Sequence, residues 1–119
     1  MSTTAILRRW RSRIRKEQAS DYVNYIRATG LREYAEAPGN RGCQILLRDL
    51  GDGTMEVTTL SWWTDLDAIR AFAGKDIGKA VYYPEDDHYL LEKPLHVEHH
   101  EVVAGEFPLI SPTSTPIGR

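Results

Sequence analysis

The amino-acid sequence predicts one α+β domain whose elements follow in the order β-α-β-β-α-β. Three observations support this order. An apolar stripe with helical spacing follows the first predicted strand, an Asp-Gly turn joins the next two strands into a hairpin, and a second amphipathic segment leads to the last strand. This order is that of a ferredoxin-like βαββαβ fold, a four-stranded antiparallel sheet with its helices on one face.

Residues 5–14 predict the first strand, because the segment is rich in large apolar side chains and contains no Gly, Pro, Asn or Asp. The first helix follows, and we expect it to end at Gly30. Its apolar residues recur at the i, i+3, i+4, i+7 spacing of one helix face: Ala19, Tyr22, Val23 and Ile26.

A turn cluster at 38–42 precedes two strands, predicted at 43–50 and 55–63. Between them, Asp52-Gly53 is a strong hairpin signal. Thr64 is suited to cap the second helix, which we expect to end at Gly74. We expect this helix to be buried along four residues: Leu66, Ile69, Phe72 and Ala73.

The sequence after Gly74 predicts one or two helical turns at 76–81. It also predicts a further short helix that begins after Pro84 and ends at Lys93-Pro94. The last strand is predicted at 95–103. We therefore place the domain at 1–104 and assign 105–119, which is rich in Pro, Ser and Thr, as an extended or flexible C-terminal tail.

The composition of the chain excludes several classes of protein. The chain has 119 residues, a formal charge of −2 and one Cys, which excludes a disulfide framework and a multi-thiolate metal site within one chain. No apolar run approaches the ~18 residues that a membrane span needs. The N-terminus lacks the apolar core of a secretory signal, so we expect a soluble cytoplasmic protein that binds no membrane.

The charges are unevenly distributed. Residues 1–41 carry nine basic and four acidic side chains, whereas 42–119 carry six basic and thirteen acidic ones. On a strand, Arg8 points away from Arg9, Arg11, Arg13 and Arg15, so the arginines do not form one nucleic-acid-binding face, and the acidic half offers partners for them. We expect no nucleic-acid partner, and Arg8 could instead bind a carboxylate or a developing oxyanion.

The hairpin strands are apolar on both faces, although helices cover only one face of this fold. In the first hairpin strand, Ile45 and Leu47 point to the side opposite Leu46 and Leu50. In the second, Met55 and Val57 point to the side opposite Leu60 and Trp62. We expect a homodimer in which two sheets pack into a shared barrel. The alternative is a monomer whose second face is partly shielded by the tail.

From Trp62 to Val103 the chain resembles the antibiotic biosynthesis monooxygenase family of dimeric α/β barrels. The residues that carry the resemblance are WTDLDAIRAFAG at 63–74, KAVYYPED at 79–86, Leu90-Leu91 and VEHHEV at 97–102, and the resemblance extends over about 5–103. It implies a pocket for a small, planar, partly apolar or aromatic ligand. It also implies cofactor-independent, quinone-forming oxygenase chemistry, although the superfamily includes other reactions and members of unknown activity.

Haem degradation is a known activity of this superfamily, but the sequence disfavours it. Such relatives use an Asn on the first strand, a Trp at the end of the third and a haem-ligating His about ten residues later. Trp62 and Trp63 match the Trp, but Phe72 and Ala73 stand where the His is needed, and 5–14 contains no Asn.

The candidate ligand-binding residues are those of the implied pocket. Trp62 and Trp63 face opposite sides of a strand, so one of them should line the pocket and the other the dimer seam. The alternative for either is ordinary core or interface packing. The full set of candidate substrate-binding residues is Trp62, Trp63, Phe72, Tyr82 and His99.

The candidate catalytic residues are His88, Tyr83 and Arg8, which could handle a substrate proton or negative charge. His88 directly follows three acids, so its alternative role is a solvated surface residue. His96, Glu98 and His100 share one strand face, but His96 and His100 lie about 13 Å apart, too far to ligate one ion together. We therefore predict no metal site, and no cofactor.

Two classes of function remain open from the sequence. One is a small-molecule enzyme, namely a cofactor-independent monooxygenase or related isomerase in which Trp63 stacks on the substrate. The other is a non-catalytic binding or regulatory dimer that uses the same pocket to sense a metabolite. A purely structural dimer is a third.

Overall fold

The structure, a computed structural model, describes residues 5–106. Over this range the chain forms four strands and three α-helices, with two short 3-10 turns at Lys16–Gln18 and Asp86–His88. The elements are β1 (Ala5–Arg15), α1 (Ala19–Ala28), α2 (Gly30–Glu36), β2 (Asn40–Asp49), β3 (Thr54–Trp63), α3 (Leu66–Ala73) and β4 (Glu98–Val102).

The four strands form one antiparallel sheet in the order β2-β3-β1-β4. This arrangement confirms the predicted ferredoxin-like α+β fold. The two strands that follow helices along the chain, β2 and β4, lie at the edges, and β1 and β3 form the centre. Arg8 on β1 lies between Ser61 on β3 and His99 on β4, so these three residues share one row across the sheet.

Side chains of β1 alternate between a covered and an open face. Residues Arg8, Trp10, Ser12 and Ile14 are all buried, whereas Arg9, Arg11 and Arg13 point to the opposite side. Trp10 and Ile14 pack with Tyr22 and Ile26 of α1 and with Val57 of β3 in the hydrophobic core. We call the side that faces the helices the inner face.

The other side of the sheet, here the open face, is not covered by a helix. Its apolar residues are Leu7, Leu46, Leu60, Trp62 and Val102. Leu46 is 43% exposed although it lies in the middle of β2. Arginines beside them are paired with acids: Arg9 with Glu98 at 2.8 Å, Arg11 with Glu56 at 3.5 Å and Arg13 with Glu92 at 3.2 Å.

The predicted hairpin is confirmed. Gly51 and Gly53 adopt positive φ angles of 83° and 86°, which glycine reaches without strain. Asp52 completes the turn, because its Oδ1 accepts a hydrogen bond from the Thr54 backbone N–H at 3.0 Å.

The prediction that the first helix ends at Gly30 is wrong. The chain kinks at Thr29, whose hydroxyl donates to the Tyr25 carbonyl at 2.8 Å, and Gly30 then begins α2. Residues 31–36 contain Leu, Arg, Glu and Ala, which favour helix, and no positive φ occurs at Gly30. The nearby turn signal at 38–42 concealed this second helix.

The second half of the chain also differs from expectation. Asp65, not Thr64, caps α3, because its side chain accepts from the Ala68 N–H at 2.8 Å, and Leu66 is exposed instead of buried. Residues 76–81 form no helix, and the predicted helix after Pro84 is only the 3-10 turn Asp86–His88. The backbone between α3 and β4 instead forms hydrogen bonds with side chains of β1. For example, the Ser12 hydroxyl donates to the Glu92 carbonyl at 2.5 Å.

The last strand is shorter than predicted, since β4 spans Glu98–Val102, and of the predicted tail only Gly105 and Glu106 lie within the described residues. In the described part of the chain, no helix has the length and apolar character needed to cross a membrane.

Gly39 determines how closely β2 approaches α3. Its φ is 86°, and a Cβ at this position would lie 2.5 Å from the Ala68 Cβ and 2.9 Å from the Thr64 Oγ1. Its carbonyl accepts from the Thr64 N–H at 2.9 Å, immediately after Trp63.

Gly39→Ala should therefore lower the free energy of unfolding by about 3 kcal/mol or more, from backbone strain and overpacking together. Gly53→Ala is the matched control, because Gly53 has the same φ of 86° and a Cβ added there would meet nothing within 4 Å. It should cost only about 1 kcal/mol. Urea unfolding followed by circular dichroism measures both, and equal losses would contradict the steric explanation.

Candidate functional site

The most unusual residue of the inner face is Arg8, which is 1% exposed. Its Nη1 donates to the Ile77 carbonyl at 2.6 Å and lies 3.1 Å from the His99 Nε2, and its Nη2 donates to the Lys79 carbonyl at 3.1 Å. Burial lowers the pKa of Arg8, and the neighbouring Tyr34 and Tyr83 act in the opposite direction. An arginine nonetheless keeps its charge at any physiological pH.

The groups that surround the Arg8 guanidinium are formally neutral. Among the described residues it forms no ion pair with an Asp or Glu, and its Nε, although buried, has no hydrogen-bond partner. A buried cation without a carboxylate is costly, and an unpaired buried N–H adds to that cost. This centre is therefore electrostatically suited to an anion or to an oxygen that develops negative charge.

His99 is placed by the sheet register directly beside Arg8 on β4. Burial lowers the pKa of His99, and the charges of Arg8 and His100 lower it further. The imidazole is therefore neutral at pH 7, and its Nε2 accepts from Arg8, which assigns the proton to Nδ1. In this arrangement His99 orients Arg8.

Three aromatic rings form a wall on the inner face, at the end of β3. The Trp63 and Phe72 rings lie 5.4 Å apart, the Tyr34 ring lies 4.9 Å from Phe72, and it meets Trp63 edge-on at 6.0 Å. Trp63 is fully buried and is held by a hydrogen bond from its Nε1 to the Ser61 Oγ at 2.9 Å. Rings packed in this way bury a large apolar area, and Tyr34 links them to Arg8, whose pKa it raises.

Tyr82 and Tyr83 lie in the segment that covers the inner face. The Tyr83 hydroxyl donates to the Glu33 Oε1 at 2.9 Å, and burial raises the pKa of Tyr83. The Tyr82 hydroxyl accepts from the Trp10 Nε1 at 3.1 Å and donates to the Pro94 carbonyl at 2.5 Å, and burial raises its pKa too. Both phenols are thus neutral at pH 7 and already engaged as donors.

The structure brings five of the eight predicted site residues to one region of the inner face: Arg8, Trp63, Phe72, Tyr83 and His99. Tyr82 lies further along the same face, against Trp10. Trp62 points to the open face, and His88 is exposed on the 3-10 turn.

Three contributors were not predicted from the sequence. Tyr34 belongs to α2, a helix that the sequence did not predict, and Ser61 carries no motif that distinguishes it from other strand serines. Asp86, only 3% exposed, sits in a run of acids that is typical of a solvated surface. Only the contacts made after folding identify them.

The residues His96, Glu98 and His100 do not come together as the ligands of one ion. His100 and Glu98 lie 3.2 Å apart on the open face, but His96 lies outside β4, in a bridge to Lys79. Within residues 5–106, no three His, Cys, Asp or Glu side chains are grouped so as to hold a metal ion.

Comparison with solved structures shows the fold. The chain is 19% identical to a protein of unknown function from Nitrosomonas europaea, with a TM-score of 0.57 over 89% of this chain and 95% of that one. It is 14% identical to a candidate antibiotic biosynthesis monooxygenase from Bacillus cereus, with a TM-score of 0.56 over 90% and 100%. It is 16% identical to a haem-degrading protein from Mycobacterium tuberculosis, with a TM-score of 0.50 over 90% and 100%.

No protein-family model matches the chain, and no curated protein matches it by sequence. Because all three structural identities are below 20%, they establish a shared α+β architecture and leave the chemistry to the residues themselves.

The neutral state of His99 predicts a pH dependence of stability. Its pKa is lowered in the folded chain, so the unfolded chain binds more protons as the pH falls below the ordinary value of about 6.5. The contribution of His99 is therefore fully present above that pH and is lost as the solution is acidified.

His99→Gln keeps an acceptor for Arg8 but cannot titrate, so between pH 7.5 and 5.5 it should lose less unfolding free energy than the wild type. Urea unfolding at the two pH values measures this difference. His88→Gln is the control, since His88 is exposed on the 3-10 turn and takes no part in the hydrogen bond between Arg8 and His99, and it should keep the wild-type loss. Equal pH dependence of the wild type and His99→Gln would show that His99 is not buried as described.

Proposed function

We propose that the chain is a cofactor-independent monooxygenase of the antibiotic biosynthesis type. Its substrate would be a planar, partly apolar phenol or enol that binds between the inner face and the helices. The single observation that carries this proposal is a buried, carboxylate-free Arg8 in the same region as the ring wall of Trp63, Phe72 and Tyr34. The shared fold with the monooxygenase candidate from Bacillus cereus supports the same class.

The ring wall and Arg8 perform different tasks in this proposal. Trp63 stacks on the substrate ring, and Arg8 stabilises the negative charge on the substrate oxygen after an acidic phenol or enol has lost its proton to solvent. The electron-rich anion then reduces O₂ directly, a ring methylene becomes a carbonyl, one oxygen atom enters the product and the other leaves as water. The substrate supplies all four electrons, so no external reductant is required.

Haem chemistry does not fit this site. Phe72 contacts Trp63 at the position where a haem-ligating His would be needed, and the His99 Nε2 is already engaged by Arg8. The likeness to the haem-degrading protein from Mycobacterium tuberculosis is therefore one of fold.

A non-catalytic binding module is the second candidate. The absence of an available base in the site favours this candidate. Tyr82, Tyr83 and His99 are all engaged in hydrogen bonds, and His88 is exposed outside the site. A site without a free base binds an anionic ring but does not activate a neutral one.

The partner we propose is a second copy of the chain, seated on the open face. The apolar residues Leu46, Leu60 and Trp62 lie there with paired charges such as Arg9–Glu98 around them. A two-fold axis places the same patch on both subunits, and charges already paired within each chain do not repel across it. The same pairing of arginines supports the expectation that no nucleic acid binds.

Arg8→Gln tests the oxygenase proposal, with Arg11→Gln as the matched control on the open face of the same strand. With 1,8-dihydroxyanthrone and O₂, wild-type protein should form the anthraquinone faster than the protein-free solution. Arg8→Gln should lower that rate about 100-fold, whereas Arg11→Gln should leave it unchanged. Quinone absorbance, O₂ consumption and ¹⁸O incorporation from ¹⁸O₂ measure the reaction.

Arg8→Lys is a second variant, because it retains the charge but loses the planar fork that holds both the Ile77 and Lys79 carbonyls. It should be slower than wild type and faster than Arg8→Gln. Binding of the quinone product without any turnover of the anthrone would overturn the oxygenase and support the binding module.

The dimer is tested by light scattering at micromolar concentration, which should report twice the chain mass of 13.5 kDa. Leu46→Glu should shift the mass toward the monomer, because it places a charge in the middle of the apolar patch. The control is Leu95→Glu, since Leu95 is 71% exposed and lies outside the sheet. A wild-type mass of 13.5 kDa would refute the proposal.

A further inference from the structure

We infer that Asp86 and Tyr22 form a second polar subsite on the inner face, which binds a free hydroxyl group of the ligand. This inference rests on the proposed function, in that the ligand is the same planar ring, and it narrows the substrate class to rings with an oxygen at one end and a hydrogen-bond-donating hydroxyl at the other.

The first observation is a pair of buried polar atoms without partners. Tyr22 is fully buried and Asp86 is 3% exposed, yet neither the Tyr22 hydroxyl nor the Asp86 Oδ1 has a hydrogen-bond partner among the described residues. A buried donor or acceptor without a partner lowers the free energy of unfolding, so two together require an explanation.

The second observation is that the two side chains belong to one packed unit. The Asp86 carbonyl accepts from the Tyr89 N–H at 3.0 Å, and the Tyr89 ring packs 5.4 Å from the Tyr22 ring. The Tyr25 hydroxyl, one turn along α1 from Tyr22, accepts from the Glu85 N–H at 3.2 Å. Helix α1 is thereby docked on the turn that carries Asp86.

The pKa of Tyr22 also indicates that Asp86 lies near its hydroxyl, because burial and the charge of Asp86 both raise this pKa. The two groups interact electrostatically, yet no hydrogen bond joins the Tyr22 hydroxyl to the Asp86 Oδ1. A hydroxyl between them satisfies both, because it donates to the Asp86 Oδ1 and accepts from the Tyr22 hydroxyl.

The other carboxylate oxygen explains why Asp86 is held in place. Its Oδ2 accepts from the Tyr83 N–H at 2.6 Å, which fixes the side chain and leaves Oδ1 for a ligand. Tyr83 connects this subsite to Arg8, because its backbone N–H donates to Asp86 and its side chain influences the pKa of Arg8.

The test compares two probes that differ by one hydroxyl, 2-hydroxyanthraquinone and anthraquinone. Wild-type protein should bind the hydroxylated probe about tenfold more tightly, measured by quenching of tryptophan fluorescence. Asp86→Asn keeps an oxygen for the Tyr83 N–H but presents an amide donor in place of Oδ1. It should abolish the tenfold preference and leave the affinity for anthraquinone unchanged.

Asp87→Asn is the matched control, because Asp87 is the next residue and its side chain is 74% exposed, and it should keep the preference. Tyr22→Phe is the second variant and removes only the unpartnered hydroxyl, so it should weaken the preference without unfolding the chain.

The outcomes separate this inference from the proposed function. Equal affinity of wild-type protein for the two probes, or a preference that survives in both Asp86→Asn and Tyr22→Phe, overturns the hydroxyl subsite even where Arg8-dependent turnover of the anthrone is observed. An equal loss of affinity for both probes in Asp86→Asn also overturns it, since that result indicates a structural role. A tenfold preference without anthrone turnover supports the subsite and overturns only the oxygenase.

Discussion

The buried guanidinium of Arg8 is the interaction on which the rest of the site depends. It joins the central strand β1 to the Ile77 and Lys79 carbonyls of the irregular segment and to His99 of the edge strand β4. The Ser12 hydroxyl, which donates to the Glu92 carbonyl, and the Leu91 N–H, which donates to the Arg13 carbonyl, also hold this segment to β1. Arg8 differs from them because it both helps to hold the segment and places a positive charge inside the domain.

The alternation of β1 separates two roles for its arginines. Arg9, Arg11 and Arg13 reach acids on the open face, where exposed ion pairs contribute little to stability but offset the basic excess of the first 41 residues. Arg8 points the other way and meets neutral groups only. The formal charge of −2 therefore does not describe the inner face, where Arg8 is a buried cation among neutral groups.

Features that depend on residues close together in the sequence were predicted, whereas features that depend on residues far apart in the sequence were not. The hairpin at Gly51–Gly53, the stripe of Tyr22 and Ile26 and the order of the strands depend on local spacing, and these predictions are confirmed. Helix α2 was missed because the Pro-Gly turn beside it is a stronger local signal than its own propensity. The role of Arg8 depends on contacts with residues as far as 91 positions away along the chain, which no window of sequence contains.

Three of the six buried side-chain atoms without partners in the described residues belong to the proposed site. The Arg8 Nε, the Tyr22 hydroxyl and the Asp86 Oδ1 come from three different elements, β1, α1 and the 3-10 turn, and all are buried with no partner in the described chain. A core selected only for stability would replace such groups with apolar residues of similar size, since each unsatisfied atom lowers the free energy of unfolding. Their retention beside a wall of aromatic rings is explained if a ligand supplies the missing hydrogen bonds. The unpaired groups then lower the stability of the ligand-free chain, but they make binding specific for a planar ring that carries oxygen atoms.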